Sequence, residues 1–229
     1  MQAVILAAGR GTRMGDLTKD TPKPLLKLEN DDQTLLIRSL RSLPQQINKA
    51  FVVGGYQGSQ IQAYLREIKN VATFLDLEYV NQPHLNGTAD ALFACKDKLK
   101  DKFLVIMGDD LYSQDDLEKL AREPLGILVS RLVKDDPSYE NAIVKVEGGK
   151  LANIVERQPG KKGDLVNAGA YILNKDFFKY PPVLAENHTS EYGLPQTLLQ
   201  MVKDGHKFSV VEATFWKKIS TPEDLRLAT

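Results

Sequence analysis

The feature that most constrains this chain is an alternation of two hydrophobic periodicities through its first part. Four apolar runs, Ala3-Val4-Ile5-Leu6, Phe51-Val52-Val53, Leu77-Glu78-Tyr79-Val80 and Phe103-Leu104-Val105-Ile106-Met107, have the length and residue types of buried strands. Between them the spacing becomes helical. Leu35, Leu36, Ile37, Leu40 and Leu43 form one apolar face, Ile61, Tyr64, Leu65 and Ile68 form the next, and 89–99 read as a third helix. Continuously apolar strands separated by amphipathic helices are buried on both faces, so this order predicts a largely parallel sheet covered by helices.

Past about residue 110 the pattern changes. The segments 125–132, 142–146, 151–155 and 166–173 are strand-like, and Glu147-Gly148-Gly149-Lys150 is a turn between two of them. Short connections of this kind bring in antiparallel pairs and make the sheet mixed. A helix follows over 195–204, with Pro195 in its first turn and Gly205 at its C-terminal cap. Phe208-Ser209-Val210-Val211 returns as a strand, and Thr221 caps a last helix that Pro222 opens. No repeat, low-complexity tract or linker interrupts the chain. The expectation is one α/β domain over 1–229, in three layers around a mixed, mostly parallel sheet.

Thirty basic and thirty acidic side chains cancel, so there is no broad positive field for nucleic acid or a membrane surface. No apolar run nears the roughly 20 residues that span a bilayer, and no basic region precedes the apolar start. A soluble cytoplasmic protein is expected. Cys95, the single cysteine, forms no intrachain disulfide and reads as a helix residue without chemistry.

The chemistry concentrates after the first strand, in Leu6-Ala7-Ala8-Gly9-Arg10-Gly11-Thr12-Arg13-Met14, followed by Thr21-Pro22-Lys23-Pro24-Leu25-Leu26. A glycine-rich turn lets successive amides converge on an anion, and Arg13 and Lys23 add two positive charges. A triphosphate needs both, since charge grows on the departing pyrophosphate. The spacing excludes a P-loop, which needs Gly-Lys-Ser/Thr after four intervening residues. It excludes a dinucleotide fingerprint as well, because Gly15 falls one residue late.

Leu6 to Leu26 resembles the signature of the sugar-1-phosphate nucleotidyltransferases, or nucleotide-sugar pyrophosphorylases. The likeness continues in order through Gln82 to Ala91, Met107-Gly108-Asp109-Asp110, Ile154 to Pro159, Asn167 to Tyr171 and Trp216 to Leu225. It implies a Rossmann-like, nucleotide-diphospho-sugar transferase fold in which an acceptor phosphate attacks the α-phosphorus and pyrophosphate leaves. An anionic nucleophile needs no base, in keeping with three histidines, His84, His188 and His206, that stand beside no nucleophile. By this resemblance Arg13, Lys23 and Asp109 are catalytic, and Asp109 holds Mg²⁺. Ala8, Gly9, Gly11, Thr12, Gln82, Gly87 and Thr88 bind the nucleotide, while Glu156, Arg157, Asn167 and Gly169 bind the acceptor. Tyr56 and Trp216 read as packing residues, and Arg13 and Lys23 are expected to stand exposed. Asp110 remains either a turn former or a site residue.

Three positions depart from the family pattern. Arg157 replaces a common lysine, Ala142 replaces a glycine, and Lys218 stands where a second metal-binding aspartate is usual. If Lys218 enters the site, its ammonium is expected to replace a metal charge and touch phosphate. The expected reaction joins UTP or dTTP to a sugar 1-phosphate. The amides at Gln82 and Gly87-Thr88 suit the O4 and N3–H edge that uracil and thymine share. Two alternatives stay open: a cytidylyltransferase acting on a phospho-alcohol such as phosphocholine, and a regulatory homologue with little turnover, which Lys218 favours. The left-handed helical domain of some relatives has no room in 229 residues, so no acyltransferase activity is expected.

Overall fold

The computed structural model describes residues 1–29, 31–69, 75–185 and 190–227, so His188 lies outside the described residues. The first part runs β1 (Gln2–Ala7), α1 (Leu35–Arg41), β2 (Lys49–Gly54), α2 (Gly58–Lys69), β3 (Asp76–Asn81), α3 (Thr88–Phe93) and β4 (Lys102–Met107). Then come β5 (Leu111–Tyr112), α4 (Gln114–Arg122), β6 (Gly126–Arg131), β7 (Asp136–Glu147), β8 (Lys150–Gly160) and β9 (Leu165–Asn174). The chain continues with β10 (Val183–Leu184), β11 (Tyr192–Gly193), α5 (Leu194–Lys203), β12 (Ser209–Glu212), β13 (Trp216–Lys217) and α6 (Pro222–Leu227).

One sheet has the order β3-β2-β1-β4-β9-β6-β12-β8-β7. Strands β1 to β4 pair in parallel, as does β12 with β6, while β8 and β9 run against the rest. The sheet is therefore mixed, with the parallel block at one side and the hairpin β7–β8 at the other.

Alternate residues of one strand enter opposite cores. Val4, Phe51, Val53, Phe103 and Val105 pack with Leu92 of α3 and Leu194, Leu198 and Met201 of α5. Their neighbours Ala3, Ile5, Val52, Leu104 and Ile106 pack with Leu36 and Leu40 of α1, Ile61 and Leu65 of α2, and Leu117 and Leu120 of α4. Both faces are covered, which explains why these strands read as unbroken apolar runs and not as alternating ones.

Helix α3 stops at Phe93, where an extent to 99 was expected. Beyond it Cys95, Lys96 and Lys98 donate to carbonyls only three residues back, so the chain tightens into turns that keep Cys95 and Leu99 buried. Cys95 thus sits after the helix, and burial pushes its thiol up to about 12, which leaves it unreactive near neutrality. Helix α4 was not anticipated. Its signals are present, with Asp115 and Asp116 in the first turn and Lys119 and Arg122 in the last, but its apolar stripe is short.

Candidate active site

Topology decides where the site lies. The chain builds β1, β2 and β3 outward in one direction and then returns to place β4 on the other side of β1. The loops leaving the carboxyl ends of β1 and β4 therefore diverge, and a crevice opens between them. Those loops carry Ala8 to Gly11 and Gly108 to Asp110.

The first loop has an enforced shape. Gly11 has a φ of 63°, and a Cβ there would lie 3.0 Å from the Lys23 Cβ and 3.1 Å from the Thr18 Cγ2. The Thr18 hydroxyl donates to the Gly11 carbonyl at 3.0 Å, closing the 3₁₀ turn Thr12–Thr18. A Cβ on Gly9 would meet nothing within 4 Å among the described residues, because that side of the loop is open cavity. Tyr56 stiffens the arrangement from below: its hydroxyl donates to the Thr18 and Lys19 carbonyls, both at 3.1 Å, and its ring lies under Arg10. Tyr56 is thus a packing residue as expected, and it also positions the loop.

A cavity of about 380 Å³ opens over this loop. Ala8, Gly9, Gly11, Thr12, Gln82, Gly87, Thr88 and Asp109 all line it, which brings the anticipated nucleotide residues together. Arg10, Leu85 and Glu191 line it too and were not anticipated. Arg10 was readable from its place in the loop, whereas nothing local marks Glu191. Gln82 is buried, and its amide nitrogen donates to the Gly87 carbonyl at 3.1 Å and the Asp90 carboxylate at 2.8 Å. Two acceptors set the amide's orientation and leave its Oε1 to accept from a ligand. Gly87 has a φ of 95°, and a Cβ there would lie 2.5 Å from the Tyr192 carbonyl oxygen. The Thr88 hydroxyl accepts from the Leu194 amide at 3.0 Å, so this side chain fastens the loop to α5.

Arg13 stands half-exposed as expected, but Lys23 does not. Lys23 is only 7% exposed. The turn Lys23–Leu25, which follows Pro22 and contains Pro24, directs it under Gly11. There its ammonium meets Asp109 Oδ2 at 2.5 Å and donates to the Ile219 carbonyl. Asp110 points the other way. It is buried, and it accepts from the Trp216 indole at 3.1 Å and the Ile219 amide at 3.3 Å. Burial, reinforced by the neighbouring Asp109 charge, pushes its carboxyl up to about 7. Asp110 and Trp216 therefore hold the 216–219 segment, and only Asp109 of the pair lines the cavity.

A second cavity of about 530 Å³ adjoins Arg13 and is lined by Glu156, Arg157, Ala142 and Lys218 together with Glu140 and Asn141. In a regular strand Glu156 and Arg157 would face opposite sides. Here Asn141 pairs with Gln158 and Ile143 with Val155, so β8 carries one extra residue, and Arg157 takes a φ of 54°. This bulge turns both side chains to one cavity. Asn167 and Gly169 line neither cavity and lie in an irregularity of β9. The Asn167 amide donates to the Tyr171 hydroxyl at 2.7 Å and accepts from the Gly169 amide at 3.0 Å, so it shapes the strand beside Met107 of the first cavity. Lys218 lies with Glu156 and Arg157, not with Asp109, and its ammonium is 3.3 Å from Glu140 Oε2.

Among the described residues no group of three or more His, Cys, Asp or Glu side chains could hold a metal ion. Magnesium needs less protein than that. It is commonly held by one or two carboxylates with substrate phosphates and water, and Asp109 on the cavity wall fits such a site. Among the described residues no helix is long and apolar enough to cross a membrane.

A family model described as nucleotidyl transferase matches residues 2–229. The chain is 26% identical over 227 residues to the bifunctional protein GlmU of Methanococcus maripaludis, covering 98% of this chain and 53% of that protein. It therefore spans about half the length of the curated relatives of this kind. It is 27% identical over 232 residues to the UTP–glucose-1-phosphate uridylyltransferase AglF of Haloferax volcanii, covering 98% of this chain and 93% of AglF. In fold it is similar to the inositol-1-phosphate CTP transferase from T. maritima, with a TM-score of 0.78 at 21% identity over 97% of this chain and 90% of that one.

Proposed function

The chain belongs to the nucleotidyl transferase family, and from that we propose that it transfers a nucleotidyl group from UTP or dTTP to a sugar 1-phosphate and releases pyrophosphate. One observation carries the reading. A cavity with an oriented amide and a cavity with three cations meet at a single glycine-rich loop, with Thr12 in one wall and Arg13 in the other. Base and acceptor then lie on either side of the phosphates.

An oxygen of the acceptor phosphate attacks the α-phosphorus, a new P–O bond forms, and the bond to the bridging oxygen breaks as pyrophosphate leaves with the electron pair. The nucleophile is already charged, so alignment and charge neutralisation supply the catalysis. The loop amides and Lys23 take the triphosphate, Arg13 faces its outer end, and Arg157 receives the acceptor phosphate beside Glu156. Mg²⁺ held by Asp109 and phosphate oxygens would neutralise charge on those oxygens. Asn167 and Gly169 support the acceptor side through the shape they impose on β9. The free Gln82 Oε1 can accept N3–H of uracil or thymine, whereas N3 of cytosine is itself an acceptor and would oppose it.

A panel of UTP, dTTP, CTP, ATP and GTP with sugar 1-phosphates and phosphocholine, scored by pyrophosphate release, tests the proposal. Turnover with UTP or dTTP and a sugar 1-phosphate is the expected result. Preference for CTP with phosphocholine would replace it by the cytidylyltransferase reading, and no turnover on any pair would leave a binding homologue. Gln82→Ala should lower discrimination between UTP and CTP by about tenfold, chiefly through KM for UTP, since one oriented hydrogen bond is lost. Unchanged discrimination in a folded variant would remove Gln82 from the base site.

A further inference from the structure

Arg13 and Lys218 reach the second cavity from distant parts of the chain, one from the loop after β1 and one from the end of β13. Between them lies a carboxylate that neither the loop motif nor the acceptor motif contains. Glu140 Oε2 is 2.5 Å from Arg13 Nη1 and 3.3 Å from Lys218 Nζ. The Lys218 ammonium also donates to the Glu140 backbone carbonyl at 3.3 Å. Glu140 arrives there because β7 leaves its ladder: Asp136 pairs with Gly160 and Asn141 with Gln158, so the residues between them exceed what β8 can match. Extra residues of this kind stand out from a sheet and re-aim a side chain.

Resting on the reading of this cleft as a phosphate-handling site, we propose that Glu140 is an internal counter-anion that competes with a polyphosphate ligand for Arg13 and Lys218. Two cations this close to a shared oxygen form an anion site, and the chain itself occupies it. The contacts are half-exposed, with side-chain exposures of 54% for Arg13, 48% for Glu140 and 36% for Lys218, so the surrounding water keeps them weak. A single carboxylate held this way is displaced easily by a polyphosphate, which offers more charge and more acceptor oxygens. Glu140 acts through this competition and takes no part in bond making.

The test compares wild type, Glu140→Gln and Glu140→Ala by calorimetric titration with inorganic pyrophosphate. Both variants should bind it about fivefold tighter than wild type, the scale of losing one half-exposed competing charge. In an Arg13→Gln, Lys218→Gln background, Glu140→Gln should change the affinity by less than twofold, because nothing is left to compete for. Equal or weaker binding by the two single variants would overturn the proposal. So would a gain that survives loss of both cations. The pyrophosphate comparison needs no turnover, so an inactive wild type would sink the transferase reading while leaving this result decisive.

Discussion

Lys23→Ala should lower turnover by roughly a hundredfold or more, the scale of losing a donor that stabilises charge in the transition state. The expectation rests on the neighbours of Lys23. Its ammonium lies 2.5 Å from Asp109 and also holds the Ile219 carbonyl, so it joins the glycine-rich loop, the end of β4 and the segment after β13. In the proposed reading, removing it leaves the Asp109 carboxylate without its cation beside the triphosphate, and that unbalanced charge opposes an anionic ligand. It also leaves a part-buried carboxylate and a carbonyl without their donor, at a stability cost of about 1–3 kcal/mol. Lys23→Met fills the slot beneath Gly11 but, like Lys23→Ala, lacks the ammonium, so the pair of variants separates loss of packing from loss of the charged donor. Turnover and melting temperature measured on both variants decide the matter. If Lys23→Met keeps more than a tenth of wild-type turnover, Lys23 is not a catalytic group.

Asp116→Ala should destabilise the protein by about 3 kcal/mol, in the range for breaking a buried, charged hydrogen-bond network. At about 2–4 °C of melting temperature for each kcal/mol in a chain this long, scanning calorimetry resolves it easily. Asp116 is fully buried at the start of α4. Its Oδ2 accepts from the Thr214 amide at 2.6 Å, the Thr214 hydroxyl at 2.8 Å and the Phe215 amide at 3.1 Å. Lys119 pairs with the other oxygen at 3.0 Å. Burial alone would raise this carboxyl, yet the hydrogen bonds from Thr214, Lys119 and Phe215 outweigh it and hold it below its ordinary 3.8. A depressed acid stabilises the fold above its unfolded value, and that contribution disappears as pH falls below about 4 through the folded value. Asp116→Asn should therefore show a smaller drop in melting temperature than wild type between pH 5 and pH 3. A parallel drop in both proteins would show that the charge does not hold this turn. The turn leads directly into Trp216 to Ile219, so loosening it should also slow turnover.

The elements that local sequence describes well are those whose requirements are met by near neighbours. The parallel block was legible because strands buried on both faces need unbroken apolar runs, and Ala3 to Leu6 and Phe103 to Met107 send alternate side chains to two cores. The glycine loop was legible because Gly11 answers a backbone need, a positive φ with no room for a Cβ. Helix α4 is not legible in the sequence because its buried apolar stripe, Leu117, Leu120 and Ala121, is too short to stand out among charged residues. Lys23 read as an exposed cation because its partner, Asp109, is 86 residues away.

By itself, then, the sequence determined the fold class, the glycine-rich loop that lines the first cavity and the order of the motifs around it, since each depends on the spacing and conformational freedom of adjacent residues. Only the tertiary structure decided which charges meet. Glu156 and Arg157 share a cavity because one extra residue in β8 rotates Arg157, Lys218 stands in that same cavity because Asp110 and Asp116 anchor its segment, and Glu140 reaches Arg13 across 127 residues because β7 leaves its ladder. An ion pair depends on separations of a few ångströms. Those are set by strand register and bulges, and a single inserted residue can reverse which way a side chain points.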